Sequence, residues 1–209
     1  MSLVKIIESP RDAWQGLPKV MKPEVKTEYL RALIAAGFTH LDAVGFVSKE
    51  FVPQMADSEV VLEYLDAAPE VEMIGLVANV KGAERAVKSG RVTTLAFPYS
   101  ISPQFLERNQ RQTPEEALDE LEQIGELAYK GGQDVVAYVA MAFGNPFGDV
   151  WDIDEVVSAV DLLVDSGGGT GVAVGYGGGG ECGAGEGCGA AGAGCARWAG
   201  GGCASACAA

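Results

Sequence analysis

Cysteine is missing from most of this 209-residue chain: all five cysteines fall between Cys182 and Cys207. Their gaps are irregular, no C-x-x-C occurs, and no histidine lies among them. A zinc site is therefore weakly supported, and an odd number of thiols fits a disulfide framework poorly. The single histidine, His40, stands at the start of a predicted strand and reads as an ordinary side chain there. Basic residues are scarce, 15 Lys and Arg against 29 Asp and Glu, for a net charge of −14. Nucleic acid and anionic membrane surfaces are excluded as electrostatically attracted partners. An anionic substrate would need local cations or a metal. No apolar run approaches the roughly 20 residues of a membrane span, and no basic-then-apolar leader pattern opens the chain. A cytoplasmic location is the expectation. No G-x-G-x-x-G follows the first apolar run, which removes the usual argument for a dinucleotide fold.

What is present changes character at Ser166. Over residues 1–166, short β-type runs alternate with amphipathic helical stretches. Residues 167–209 contain 18 Gly, 11 Ala and 5 Cys, and no Leu, Ile, Phe, Lys, Asn, Asp or Pro. A naturally flexible Gly/Ala segment is one reading, since such a composition buries too little apolar surface to offset ordering. The favoured reading is out-of-frame translation of GC-rich coding DNA, because residues with AT-rich codons vanish abruptly.

In the body, strands are expected at 3–7, 39–44, 71–78, 92–97 and 134–140, with the start of a sixth at 170–174. Helices are expected at 23–36, 58–67, 81–89, about 113–130 and 153–165. Pro23 suits a first helical turn, Gly37 and Gly90 suit helix ends, and Thr113-Pro114-Glu115-Glu116 reads as a capped start. The alternation implies parallel strands joined by right-handed crossovers, as a barrel or an open sheet. Polar residues end successive strands: Arg11 and Asp12, then Asp42, then Asn79, then Ser100 and Ser102. That pattern favours an α/β fold of the (β/α) TIM-barrel type, which places its site at the carboxyl ends of its strands. At 209 residues against about 250 for a typical barrel, five to six of eight βα units are recognisable. Arg11-Asp12 is the candidate centre: the Asp can ligate a hard cation, and the Arg can neutralise charge developing on a substrate oxygen. Alone, the pair would read as a surface ion pair.

Ser9-Pro10-Arg11-Asp12-Ala13-Trp14-Gln15 resembles the P-R-D-G-L-Q motif of the 3-hydroxy-3-methylglutaryl-CoA lyase family. Phe46 to Asp57, FVSKEFVPQMAD, is similar to that family's S-F-V-S-P-K-W-V-P-Q-M-A-D. Asn79-Val80-Lys81-Gly82, the region Ser102 to Asn109, Tyr138-Val139 and Gly144-Asn145-Pro146-Phe147 match further motifs, so the resemblance runs over about residues 4 to 176. It implies retro-Claisen cleavage of 3-hydroxy-3-methylglutaryl-CoA or a close analogue to acetyl-CoA and a keto acid, a step of leucine degradation. It implies Asp12 as a ligand of Mg²⁺ or Mn²⁺, Arg11 as stabiliser of the enolate oxygen, and Asp42 beside both. Gln15 and Asn79 would support the loops and the substrate. Acyl-CoA would be the substrate, and a homodimer is possible. Three positions depart from the family: Asp42 replaces Glu, Gly45 replaces Ser, and Ala13 replaces Gly. The family's H-x-H ligand pair and its catalytic Cys have no counterpart here, and Tyr176 stands where it has the Asp of D-T-x-G. The chain as written is expected to be inactive, with a non-catalytic acyl-CoA-binding remnant as the alternative.

Overall fold

The computed structural model describes residues 5–166 and the strand Ala173–Tyr176, for which only the backbone is described. The rest of the tail, its cysteines included, lies outside the described residues, as do Leu3 and Val4. The strands are β1 (His40–Phe46), β2 (Glu72–Val77), β3 (Thr94–Ser100), β4 (Asp134–Ala140) and β5 (Ala173–Tyr176). The helices are α1 (Pro10–Gln15), α2 (Pro23–Ala35), α3 (Ser58–Tyr64), α4 (Val80–Ser89), α5 (Pro103–Gln110), α6 (Pro114–Gly131) and α7 (Ile153–Ser166), with a 3-10 turn, η1, at Pro53–Met55. Sheet order equals chain order, β1-β2-β3-β4-β5. The β1–β2, β2–β3 and β4–β5 pairs are parallel.

The described chain forms two compact units. One comprises Ile6–Phe97 with Gln123–Val135, and the other holds Lys5, Pro98–Glu122 and the described residues from Val136 onward.

In the first unit the expected strand at 3–7 is not a strand over its described part. Just before α1 the chain bridges to β1 at Glu8, whose N–H donates to His40 O at 3.0 Å and whose carbonyl accepts from Asp42 N–H at 2.8 Å. Pro10 fixes φ at the first position of a helix directly afterwards, so the expected loop carrying Arg11 and Asp12 is instead the six-residue α1. β1 is buried from Leu41 to Phe46 on both faces, as a parallel strand under helices must be. Asp42 is therefore inside β1, not at its end. Its register against β2 slips between Asp42 and Val44. Glu72 joins three strand starts: it meets His40 Nδ1 at 2.7 Å and accepts from Thr94 Oγ1 at 2.7 Å. His40 is accounted for by that contact.

α2 begins at Pro23 and gives way at Gly37, whose φ of +97° suits glycine. Its buried face differs from the apolar stripe of Tyr29, Leu30, Leu33 and Ile34 that the helical spacing predicts. Lys26, Thr27 and Leu30 point inward, while Tyr29 is exposed. The buried lysine hid the stripe from a reading of apolar periodicity. α4 packs on β1 and β2 through Gly82, Ala83 and Ala86, residues small enough to bring helix and sheet close.

In the second unit, α5 occupies a stretch where no helix was expected. Ser102 caps it, its Oγ accepting from Phe105 N–H at 3.1 Å, and α6 starts on a reciprocal cap. There Thr113 Oγ1 accepts from Glu116 N–H at 3.2 Å, and Glu116 Oε2 accepts from Thr113 N–H at 2.8 Å. Thr113→Ala removes one half of that box and should cost about 1 kcal/mol in a urea unfolding titration. Asn145 Oδ1 accepts from the N–H groups of Phe147 and Asp149, shaping the turn after β4. Asp149 then accepts from Ser102 Oγ at 2.5 Å and from Gln104 Nε2 at 2.7 Å. The Ser102 hydrogen bond, with help from Gln104, holds its carboxyl below the usual carboxylate range. A lowered folded pKa contributes stability that is complete above the ordinary value and is lost as pH falls through the lowered one. Hydrogen exchange in residues 144–150 should accordingly quicken in acid below that range while the amides of β4 keep their rates. No helix among the described residues is long and apolar enough to cross a membrane.

Candidate active site

Arg11 is the organising side chain. On α1 it shares the buried face with Pro10 and Trp14 and is 3 % exposed. Its Nε donates to Asp42 Oδ1 at 3.0 Å and its Nη2 to Asp42 Oδ2 at 2.5 Å, a fork against a carboxylate that is 1 % exposed. Its Nη1 donates to Gln15 Oε1 at 2.6 Å and to Asp12 Oδ1 at 3.3 Å. The helical turn places Arg11 and Gln15 on one face, which is why the i, i+4 pair meets. The planar fork fixes the guanidinium in orientation as well as position, which an ammonium would not do. Asp12 is different: its side chain is 63 % exposed, so it lies at the open edge of the group.

Four of the expected residues, Arg11, Asp12, Gln15 and Asp42, are thus brought together. Asn79 is not. Its Oδ1 accepts from Gly82 N–H at 2.9 Å and caps α4, and the hydrogen bonds that join the other four do not extend to it. The shorter Asp42 reaches Arg11 from within β1. Gly45 lies along the Arg11 stem: a Cβ there would sit 3.7 Å from Arg11 Cδ and 3.4 Å from Met55 Cγ, ordinary contact distances. Ala13 is exposed on α1, where alanine suits a helix better than glycine.

Sequence reading missed the residues that hold this group in place. Ser58, 2 % exposed, accepts from Gly45 N–H at 3.2 Å, and its Oγ lies 2.8 Å from Gly45 O and 2.9 Å from Met55 O. Gln54 Nε2 donates to Leu17 O at 2.8 Å, and Lys26 Nζ donates to Asp57 Oδ1 at 2.6 Å. The VPQMAD string is therefore a brace around α1. The signal available in advance was its position just after β1, together with a lysine inside an apolar helix face.

Mg²⁺ and Mn²⁺ take several oxygen or nitrogen ligands. Both Asp42 oxygens are engaged by Arg11, Asp12 is one carboxylate, and the described residues contain no group of three His, Cys, Asp or Glu able to hold a metal. The described residues do not by themselves fit a divalent centre.

Comparison with known proteins identifies the family. The family model described as HMGL-like matches residues 4–174. The chain is 34% identical over 145 residues to the cytoplasmic 3-hydroxy-3-methylglutaryl-CoA lyase of Danio rerio, covering 69% of this chain and 43% of that protein. It is 32% identical over 145 residues to the mitochondrial hydroxymethylglutaryl-CoA lyase of Homo sapiens, covering 69% of this chain and 44% of the relative. Among solved structures, the hydroxymethylglutaryl-CoA lyase of Pseudomonas aeruginosa superposes with a TM-score of 0.76 at 26% identity, over 83% of this chain and 57% of that one. An HMG-CoA lyase of Acinetobacter baumannii, in complex with coenzyme A and 3-methylmalate, gives 0.75 at 27% identity over 83% and 56%. The chain spans less than half the length of these curated relatives and somewhat more than half of the solved chains. The parallel sheet and its alternating helices are those of the lyase (β/α) barrel, part of which is seen here. With a family model matched over most of its length and the fold of that family's solved members, the chain belongs to the HMGL-like family.

Proposed function

We propose that this chain supplies the arginine–carboxylate part of a carbon–carbon lyase site for a CoA thioester, 3-hydroxy-3-methylglutaryl-CoA or a close analogue. The observation that carries the reading is a guanidinium fixed at two points by a buried carboxylate, with its other edge at an exposed one, in a chain of this family. Retro-Claisen cleavage transfers a hydroxyl proton to a base and breaks the adjacent carbon–carbon bond. The electron pair passes to the thioester carbonyl, giving a keto acid and an enolate that becomes acetyl-CoA once a proton is returned to its carbon. A donor already aimed at that oxygen meets the charge as it forms, without reorganisation. Arg11 is that donor in this reading, Asp42 and Gln15 orient it, and Asp12 is the candidate metal ligand. Cytoplasmic location and a homodimeric state belong to the same proposal.

One observation favours a second reading for the chain by itself. The Arg11 group offers one open carboxylate, Asp12, and no group of three possible metal ligands lies among the described residues. The 209-residue protein is therefore expected to bind the thioester without cleaving it. Titration calorimetry with 3-hydroxy-3-methylglutaryl-CoA, run beside an acetyl-CoA release assay in Mg²⁺ or Mn²⁺, tests both readings. Heat without acetyl-CoA fits the binding reading, metal-dependent release overturns it in favour of the lyase, and no heat at millimolar ligand removes both.

A further inference from the structure

We propose that Lys26 is a positioning residue that holds Arg11 in the site. Its meaning for catalysis rests on the lyase reading above. Lys26 is 1 % exposed on the inner face of α2. Its ammonium donates to Gln54 O and to Asp57 Oδ1, and lies 5.8 Å from the centre of the Trp14 ring. Trp14 also meets Tyr29 edge-on, with ring centres 6.0 Å apart. Gln54 in turn holds Leu17 O, and Leu17 N–H donates to Trp14 O at 3.1 Å. One ammonium thus ties α2, η1 and the start of α3 together, and through Trp14 and Leu17 reaches the carboxyl end of α1.

α1 needs such support. Six residues are too few for a helix to be stable alone, and Ser9 gives it no side-chain cap. One end is anchored by Arg11 on Asp42 and the other by Trp14 on Lys26. Filling the Lys26 volume with an apolar side chain would avoid the desolvation of a buried ammonium, so packing does not require the charge. What the charge adds is direction: it fixes three backbone segments at one point.

The test uses the full 209-residue chain, as parent, Lys26→Met and Lys26→Arg. Lys26→Met should speed hydrogen exchange of the amides of residues 11–17 by about tenfold or more. It should also broaden the Arg11 Nε–H resonance, while the amides of β2 keep parental rates. Lys26→Arg, which restores a cation to Gln54 and Asp57, should recover protection in α1. Asp57→Asn, a milder change at a partly exposed partner, should give the same pattern at smaller amplitude. Parental exchange across α1 in Lys26→Met would overturn the proposal, and so would equal acceleration in β2, which marks general loss of stability. Affinity for 3-hydroxy-3-methylglutaryl-CoA should fall in Lys26→Met and return in Lys26→Arg. A parent that gives no heat with that thioester removes the functional readings and leaves this proposal standing, because exchange still decides whether Lys26 holds α1.

Discussion

Replacing Arg11 with methionine should lower the unfolding free energy by about 3–5 kcal/mol, the usual result of removing one member of a buried ion pair. Methionine fills part of the stem volume but leaves Asp42, 1 % exposed, without the two guanidinium donors at 3.0 and 2.5 Å. Urea titration reads the loss directly. The companion variant Arg11→Met/Asp42→Leu should recover most of it, because the desolvated carboxylate leaves with the arginine. Thioester binding should separate the two properties: absent in the single variant and still absent in the double, although the fold has returned. A double variant as unstable as the single one would mean that the pair itself stabilises the fold, contrary to the role assigned to it here.

Gly82→Ala should be strongly destabilising, although alanine ordinarily strengthens a helix by up to about 1 kcal/mol over glycine. A Cβ at position 82 would stand 2.4 Å from the Phe46 carbonyl oxygen, a backbone atom with no rotamer to adopt. Either α4 lifts from β1 or the end of β1 shifts, and overpacking of this kind costs roughly 1–3 kcal/mol or more. The net expectation is a lower urea midpoint with unchanged helix content by circular dichroism. Gly90→Ala offers a contrast. Nothing lies near its Cβ, and its strain comes from a φ of +62°, so its cost should be the smaller of the two. A Gly82→Ala protein as stable as the parent would show that α4 does not pack on β1 as closely as described.

Much of this was legible in the residues because local signals and tertiary demands agreed. Pro23 and Gly37 bracket α2, Gly90 ends α4 in the left-handed conformation, and Asp134–Ala140 carries a run of apolar residues bounded by turn chemistry. The Arg11, Asp12, Gln15 and Asp42 group was legible through its motif, not through any periodicity. What escaped was set by tertiary partners. Residues 3–7 have the composition of a strand, yet their described part, 5–7, is not one, and the bridge to β1 falls at Glu8. α1 is too short to announce itself by spacing and is held by contacts from residues far along the chain. Lys26 reads as a solvated position until Asp57 and Gln54 are seen around it. Asn79 stood at a strand end with a polar side chain, which fits a site residue and a helix cap equally well. Its partner, Gly82 N–H, identifies the cap.

The strand order, identical to the order along the chain, bears on how the protein is made. Each described parallel pair is closed by a single crossover: β2 follows β1 after α3, and β3 follows β2 after α4. No strand in these pairs waits for a partner synthesised much later, so loop closure is short and pairing can proceed as the chain leaves the ribosome. Arg11 and Asp42 emerge early in that process and can meet once β1 and α1 are out, while α4, with Gly82 against Phe46, is still to come. Vectorial assembly of this kind limits how long an unpaired strand edge is exposed in the nascent chain.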